Sequence, residues 1–315
     1  MATAYSYHFD RRYPHSIDFI VGLGRASKVV SVLLALAFLS PLQAQTNKES
    51  EPEERKIRLL STLFNNELPF SNPKSALQLH YSAKASDVIK EPYIRLPFEL
   101  RYGVSEYTEA YLAYQPFVNN PFESNPVSSS GITGIGVKHR IPNFINEQWD
   151  LAFGFRTFLP LSEIPSEDSR NQFARWEPYF VTTYQLPNDE RFRWTLHARY
   201  DWVRGEPFFE NLIDPRPSST FYLRPGIIFT PPGEWRYTLE LEYQTERFSG
   251  ADNDGMLVAA SFGWFPERKT WLSRLPGEFD FTLRIGYAIQ QLPIDRLGSP
   301  EEVDLRVRWS KRKRR

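Results

Sequence analysis

The sequence predicts an all-β fold: an antiparallel transmembrane β-barrel of about twelve strands. Three observations carry that expectation. Apolar and polar residues alternate over stretches near the length of a tilted membrane strand. The connections between these stretches are by turns short and long. An export-type apolar run precedes them all. Tyr237-Thr-Leu-Glu-Leu-Glu-Tyr-Gln244 shows the first feature. Tyr237, Leu239, Leu241 and Tyr243 fall on one face of an extended strand, and Thr238, Glu240, Glu242 and Gln244 fall on the other, because successive side chains point to opposite faces. One greasy side and one charged side suit a strand between lipid and a polar lumen.

Composition agrees. The chain has 315 residues, 15% of them aromatic, with a formal net charge of zero, yet its mean hydropathy is −0.47. Strands that spend every second residue on a polar face give that combination. A helical membrane protein needs about 20 apolar residues for each span, and Val29 to Leu42 falls short. Neutral net charge gives no support for nucleic-acid binding. With no cysteine, disulfides, thiolate catalysis and Cys-ligated metals are excluded.

Taken in order, residues 1–44 read as a signal peptide with an extended N-terminus. Arg25 and Lys28 flank the apolar run Val29 to Leu39, and Pro41 followed by Leu42-Gln43-Ala44 offers cleavage after Ala44. A buried helix or an uncleaved anchor is the alternative. Residues 1–24 are unusual ahead of such a signal and fit a start codon assigned too early. Residues 45–75 form an N-terminal segment in the periplasm or the lumen. Within it Ile57, Leu60 and Phe64, with Leu59 and Leu63, recur at helical spacing. They read as a short amphipathic helix beside or inside the barrel, or as a packed lead-in.

Residues 76–315 make the barrel and a basic tail. The expected strands are 76–84, 91–103, 106–117, 131–141, 148–160, 174–186, 191–203, 219–230, 234–247, 255–265, 278–290 and 302–310. With the first strand running outward, the second, fourth, sixth and eighth connections are short: Val104-Ser105, Pro142 to Glu147, Pro187 to Glu190, and Pro231 to Gly233. The odd-numbered ones are mostly longer and more polar, which is the bacterial pattern of periplasmic turns and outer loops. Pro266 to Gly277 breaks it, a long connection where a turn is expected.

Faces follow from parity. Ile94, Leu96, Phe98, Leu100 and Tyr102 oppose Arg95, Glu99 and Arg101. Phe192, Trp194, Leu196, Ala198, Tyr200 and Trp202 oppose Arg193, Thr195, His197, Arg199 and Asp201. Phe279, Phe281, Leu283, Ile285, Tyr287 and Ile289 oppose Asp280, Thr282 and Arg284. A basic residue on the lipid face at mid-membrane costs about 2–4 kcal/mol, so the charged rows line the interior. Trp149, Trp194, Trp202, Trp235, Trp264 and Trp309 sit near strand ends, where interfacial belts form.

Two segments resemble a known family. Leu96-Pro-Phe-Glu-Leu-Arg-Tyr-Gly-Val-Ser-Glu-Tyr-Thr-Glu-Ala-Tyr-Leu112 and Gly131-Ile-Thr-Gly-Ile-Gly-Val-Lys-His-Arg140 are similar to the early strands of outer-membrane transporters often labelled the phenol meta-degradation pathway family. The resemblance covers about residues 90–160 and implies an outer-membrane barrel with a small hydrophobic or aromatic solute. The chain departs from it at Ile132, where the family often has an acid. It also ends Trp309-Ser-Lys-Arg-Lys-Arg-Arg315 without a terminal aromatic, so Trp309 serves as an internal insertion signal or the tail is an addition.

The residues expected to line the lumen and meet a solute are Arg95, Glu99, Arg101, Glu109, Lys138, Arg140, Arg156, His197, Arg199, Arg224, Arg236, Glu240, Glu242, Arg284, Arg306 and Arg308. They either pair across strands as a polar core or, where the bore stays wet, set which solutes pass. Regular hairpins place Arg224 beside Glu240 or Glu242, and Arg284 beside Asp304. The expected function is a channel for passive or facilitated diffusion of a small solute in the outer membrane of a Gram-negative envelope. The alternative is a plugged structural or binding barrel whose outer loops, around 119–130 and 208–218, contact a partner. Its expected partners are outer-membrane lipids, the solute and the envelope barrel-assembly machinery, with no nucleic acid. No cofactor or metal is expected, because neither His-x-His nor His-x3-His spacing occurs. No enzyme is expected either: His80, His139 and His197 form no evident Ser-His arrangement of a lipid hydrolase. A soluble β-sandwich is the remaining fold alternative, and a detergent requirement after signal removal would argue against it.

Overall fold

Each polar–apolar alternation becomes a strand, and the strands close on themselves. A computed structural model describes residues 62–63, 66–86, 93–119, 127–162, 173–203, 219–245, 255–266, 277–290 and 301–311. The signal-peptide reading, residues 57–61 and most of the connection 266–277 lie outside these. The strands are β1 (Leu77–Ser86), β2 (Tyr93–Arg95 and Phe98–Gly103), β3 (Thr108–Asn119), β4 (Val127–Ile141), β5 (Trp149–Pro160) and β6 (Arg175–Gln185). They continue as β7 (Phe192–Val203), β8 (Thr220–Phe229), β9 (Trp235–Gln244), β10 (Gly255–Trp264), β11 (Glu278–Gln290) and β12 (Glu301–Lys311).

Every strand pairs antiparallel with its sequence neighbours, and β12 pairs with β1 from Glu302↔Ser86 to Lys311↔Leu77. The result is a closed twelve-stranded antiparallel barrel with no helix among the described residues. Closure leaves no unpaired edge, which is what allows a sheet to stand in an apolar medium.

Parity sorts the side chains as anticipated, with charge inside. Leu112, Ile135, Phe153, Trp194 and Leu305 are exposed on the outer face, whereas Arg101, Lys138, Arg236, Arg284 and Glu109 are almost wholly buried within. This inverts a water-soluble core. Aromatics gather at one rim, where Trp149 meets Tyr184, Phe192 stacks on Phe229, Trp235 is registered with Trp264 and Trp264 lies 5.5 Å from Phe281. Trp176 and Trp202, 6.0 Å apart, stand near the opposite rim.

Turns at the first rim are tight. Val104 N donates to Thr108 O at 2.8 Å, and Gly233 takes a left-handed φ of 111° after Pro231-Pro232, a conformation that suits glycine. In the turn after β6, Arg191 donates to Asp189, which holds that exposed carboxyl below its ordinary value.

Two expectations need correction. Of the helix and the packed lead-in expected around Ile57 to Phe64, the helix does not hold where it is described: Thr62 and Leu63 pair with Glu67 and Asn66 in a small antiparallel ladder. Asn65 and Asn66 compete with helical backbone bonds, and Pro69 lacks the N–H to continue a helix. The expected unbroken strand 91–103 is also interrupted, at Leu96-Pro97. Proline cannot donate to the ladder, and the register of β3 shifts opposite, around Pro116. Leu96 N donating to Pro116 O and Ser82 N to Pro97 O carry the wall across the break. Gly131 completes the bulge with φ 65°; a Cβ there would run into the Gln115 carbonyl.

Candidate functional site: an ion cluster across the bore

The lumen is crossed by the chain's own N-terminal segment. Glu67, Leu68 and Phe70 are buried inside the barrel. On one side Glu67 meets β2, β4 and β5; on the other, Leu68 and Phe70 form an apolar cluster with Ile228 of β8 and with Phe265, just past β10. A segment that touches opposite walls of a ring lies across its bore.

The anchor is the Glu67 carboxylate. Arg101 grips it with both terminal nitrogens, Nη2 to Oε1 at 2.6 Å and Nη1 to Oε2 at 2.9 Å. Arg156 Nη2 donates to Oε1 at 2.6 Å, and Lys138 Nζ to Oε2 at 3.2 Å. Glu109 shares two of these cations, lying 2.6 Å from Arg101 Nη1 and 2.8 Å from Lys138 Nζ. Its other oxygen accepts from the Asn72 backbone N–H at 2.9 Å. Lys138 also donates to Leu68 O at 3.0 Å, and Arg101 Nε pairs with Glu99. Three cations therefore face three carboxylates, and one carboxylate comes from the crossing segment. Unpaired, any of these buried charges would be costly.

Aromatic rings frame the cluster because glycines make room for them. Tyr111 is registered with Gly136 and Tyr179 with Gly154, and a Cβ on either glycine would collide with the facing ring. Arg156 lies over both rings, 5.6 and 4.9 Å from their centroids. Nearer the short-turn rim, Phe70 sits between the guanidiniums of Arg140 and Arg193, at 5.2 and 4.9 Å. Such cation–π contacts fix the ring where the segment enters.

Two cavities flank the segment. One of about 450 Å³, at the short-turn rim, is lined by Phe70, Ser71, Arg140, Asp150 and Arg193. The other, about 170 Å³, is lined by Glu67 and its clamps Arg101 and Arg156, with Glu99, Arg199 and Arg306. Glu67 and Phe70 stand between them.

This architecture has solved counterparts. The barrel aligns with an outer-membrane channel from Pseudomonas putida F1 at a TM-score of 0.50 and 11% identity, over 76% of this chain and 96% of that one. It aligns with the NanC porin at 0.48 and 11%, over 75% and 100%. With the toluene transporter TbuX of Ralstonia pickettii the values are 0.39 and 7%, over 78% and 91%. The fold is that of outer-membrane channels. Likeness at such identity speaks to fold alone. No protein-family model and no curated protein sequence matches the chain.

The residues expected to line the lumen fall into groups. Glu99, Arg101, Glu109, Lys138 and Arg156 belong to the cluster. Arg140 pairs with Asp150 at 2.8 Å at the rim. Arg199 pairs with Asp201 at 2.7 Å and lies over the Tyr222 ring, and buried His197 meets the Tyr179 ring edge-on. Arg224 pairs with Glu242 at 2.7 Å. Arg284 pairs with Asp304 at 3.2 Å and has Glu240 at 3.9 Å. Arg236 donates to Thr282 and covers Phe265; Arg308 meets Asp280 at 3.2 Å; Arg306 lines the smaller cavity. The Arg95 side chain lies outside the described part. Sequence reasoning missed Glu67, Leu68, Phe70 and Asn72, which follow no strand period. It also passed over Tyr111 and Tyr179, whose polar-face positions opposite glycines were the available signal.

Proposed function

We propose that this protein is a channel of a Gram-negative outer membrane, through which a small solute moves by facilitated diffusion. The family resemblance favours a hydrophobic or aromatic solute. The observation that carries the reading is a closed ring with charged rows inside and apolar residues outside, with a cavity on either side of the segment that crosses it. A lumen of paired charges lets polar groups pass at low desolvation cost, and the aromatic rings at the cluster offer surfaces for an apolar body. The export-type N-terminus and the aromatic rim support the location.

Planar-bilayer conductance and liposome swelling test this. Folded wild-type protein should give small or intermittent currents, and Glu67→Ala should give larger, steadier ones. If neither passes ions nor any hydrophobic or aromatic solute, the channel reading is wrong.

The three-cation hold on Glu67 favours a second reading, a permanently plugged barrel whose long loops capture a partner. In that case Glu67→Ala stays silent in bilayers, and deleting residues 208–218 abolishes partner capture while leaving assembly intact.

A further inference from the structure

The crossing segment occupies its site as a ligand would. A carboxylate, Glu67, is chelated by Arg101, Lys138 and Arg156, and the apolar groups that follow it, Leu68 and Phe70, pack against Ile228 and Phe265. Arg101 and Lys138 have no exposed side-chain surface. Bidentate guanidinium geometry is a common way for proteins to hold a carboxylate, and here two further cations join it. The carboxylate is the chain's own.

The smaller cavity provides the second observation. It opens directly onto Glu67, and its charged lining sets Arg101, Arg156, Arg199 and Arg306 against Glu67 and Glu99. Phe158, Ile132 and Ala113 line it from the lumen side. At about 170 Å³ it has the liquid volume of some five waters, roughly enough for a small organic molecule. A cationic wall beside this small apolar one suits an anion with an apolar body.

We propose that Arg101, Lys138 and Arg156 are the channel's binding site for a small organic carboxylate with an apolar body, and that Glu67 occupies this site as an internal competitor. The inference rests on the channel reading and deepens it by naming the solute class. Exchanging one carboxylate for the other keeps three cations facing three anions, so no buried charge is left uncompensated. Once Glu67 is displaced, the described bonds from the segment to the wall are neutral or single ones: Asn72 N to Glu109, Lys138 to Leu68 O and Ser71 Oγ to Glu106 O. The segment can then withdraw towards the short-turn rim. Occupancy of the site by solute and opening of the bore become one event.

The chain contains no cysteine, so Ser71→Cys gives a unique reporter on the segment. Its maleimide-labelling rate in the full-length, folded barrel should rise about tenfold with sodium benzoate. Sodium acetate should require higher concentrations, and benzamide, the neutral counterpart, should have no effect. The bilayer current should rise with benzoate in parallel. Adding Glu67→Gln to the reporter should give fast labelling without benzoate. Glu67→Asp, which keeps the charge, should restore slow, benzoate-sensitive labelling, and heat-modifiable gel migration reports whether each variant has folded.

If benzoate alters neither labelling nor current while Glu67→Gln conducts, the carboxylate site is refuted and the channel stands. If benzamide acts as strongly as benzoate, the charge plays no part and the proposal is overturned. If no variant conducts under any condition, the channel reading itself fails.

Discussion

Arg101 and Glu67 meet through two parallel hydrogen bonds, at 2.6 and 2.9 Å, although they stand 34 positions apart in the chain. Replacing Arg101 with Ala would take from Glu67, Glu99 and Glu109 the one guanidinium that all three share. The closed arrangement should lose about 3–5 kcal/mol. Single-channel recording should show a higher open probability than in wild type. A current trace identical to wild type would remove Arg101 from the role of principal clamp.

Arg284 and Asp304 are directly opposed on β11 and β12 and lie 3.2 Å apart. Asp304→Ala removes the nearer carboxylate, with Glu240 still 3.9 Å away, and should cost about 3 kcal/mol. Converting both residues to apolar ones, Arg284→Met with Asp304→Leu, should recover most of it only when Glu240→Gln is added, because Glu240 otherwise loses its neighbouring cation. Guanidinium unfolding of the detergent-solubilised barrel measures both.

Gly136 faces the Tyr111 ring, and an added Cβ would strike ring atoms Cζ, Oη and Cε1. Gly136→Ala should destabilise the barrel by about 1–3 kcal/mol through overpacking. Tyr111→Phe keeps Cζ and Cε1 and should relieve little. Tyr111→Leu should relieve more, so its double mutant with Gly136→Ala should be clearly non-additive.

Leu283 is exposed on the outer face of β11 and Trp235 at the aromatic rim. Leu283→Arg should cost about 2–4 kcal/mol and Trp235→Arg about 0–1, the ordering that membrane depth imposes. Fluorophores at Leu241 and Leu283 should be quenched by brominated lipid. Absence of quenching at both would contradict the membrane-facing assignment.

Much of this wall is legible from parity alone. Glu240 and Glu242 alternate with Leu239 and Leu241, so one residue of register decides which pair faces lipid, and only one choice is tolerable there. The Arg284–Asp304 pair follows from the same parity and a regular hairpin. Pro97 is also visible in the sequence, but the compensating shift at Pro116 depends on a neighbouring strand and has no local signature. The crossing segment was the least legible part. Glu67 shows no period, and its meaning comes from Arg101, Lys138 and Arg156, which reach it only after three strands have been placed. The preponderance of bases over acids among the residues expected in the lumen was a usable hint. It was answered partly by Asp150, Asp201, Asp280 and Asp304 on the strands, and partly by Glu67.

Glu67 precedes Arg101, Lys138 and Arg156 along the chain by 34, 71 and 89 residues. Its binding place does not exist until β2, β4 and β5 stand side by side, and long loops close late because their entropy is spent before contacts reward it. The earliest part of the wall-to-wall cluster to be synthesised is thus the last to settle.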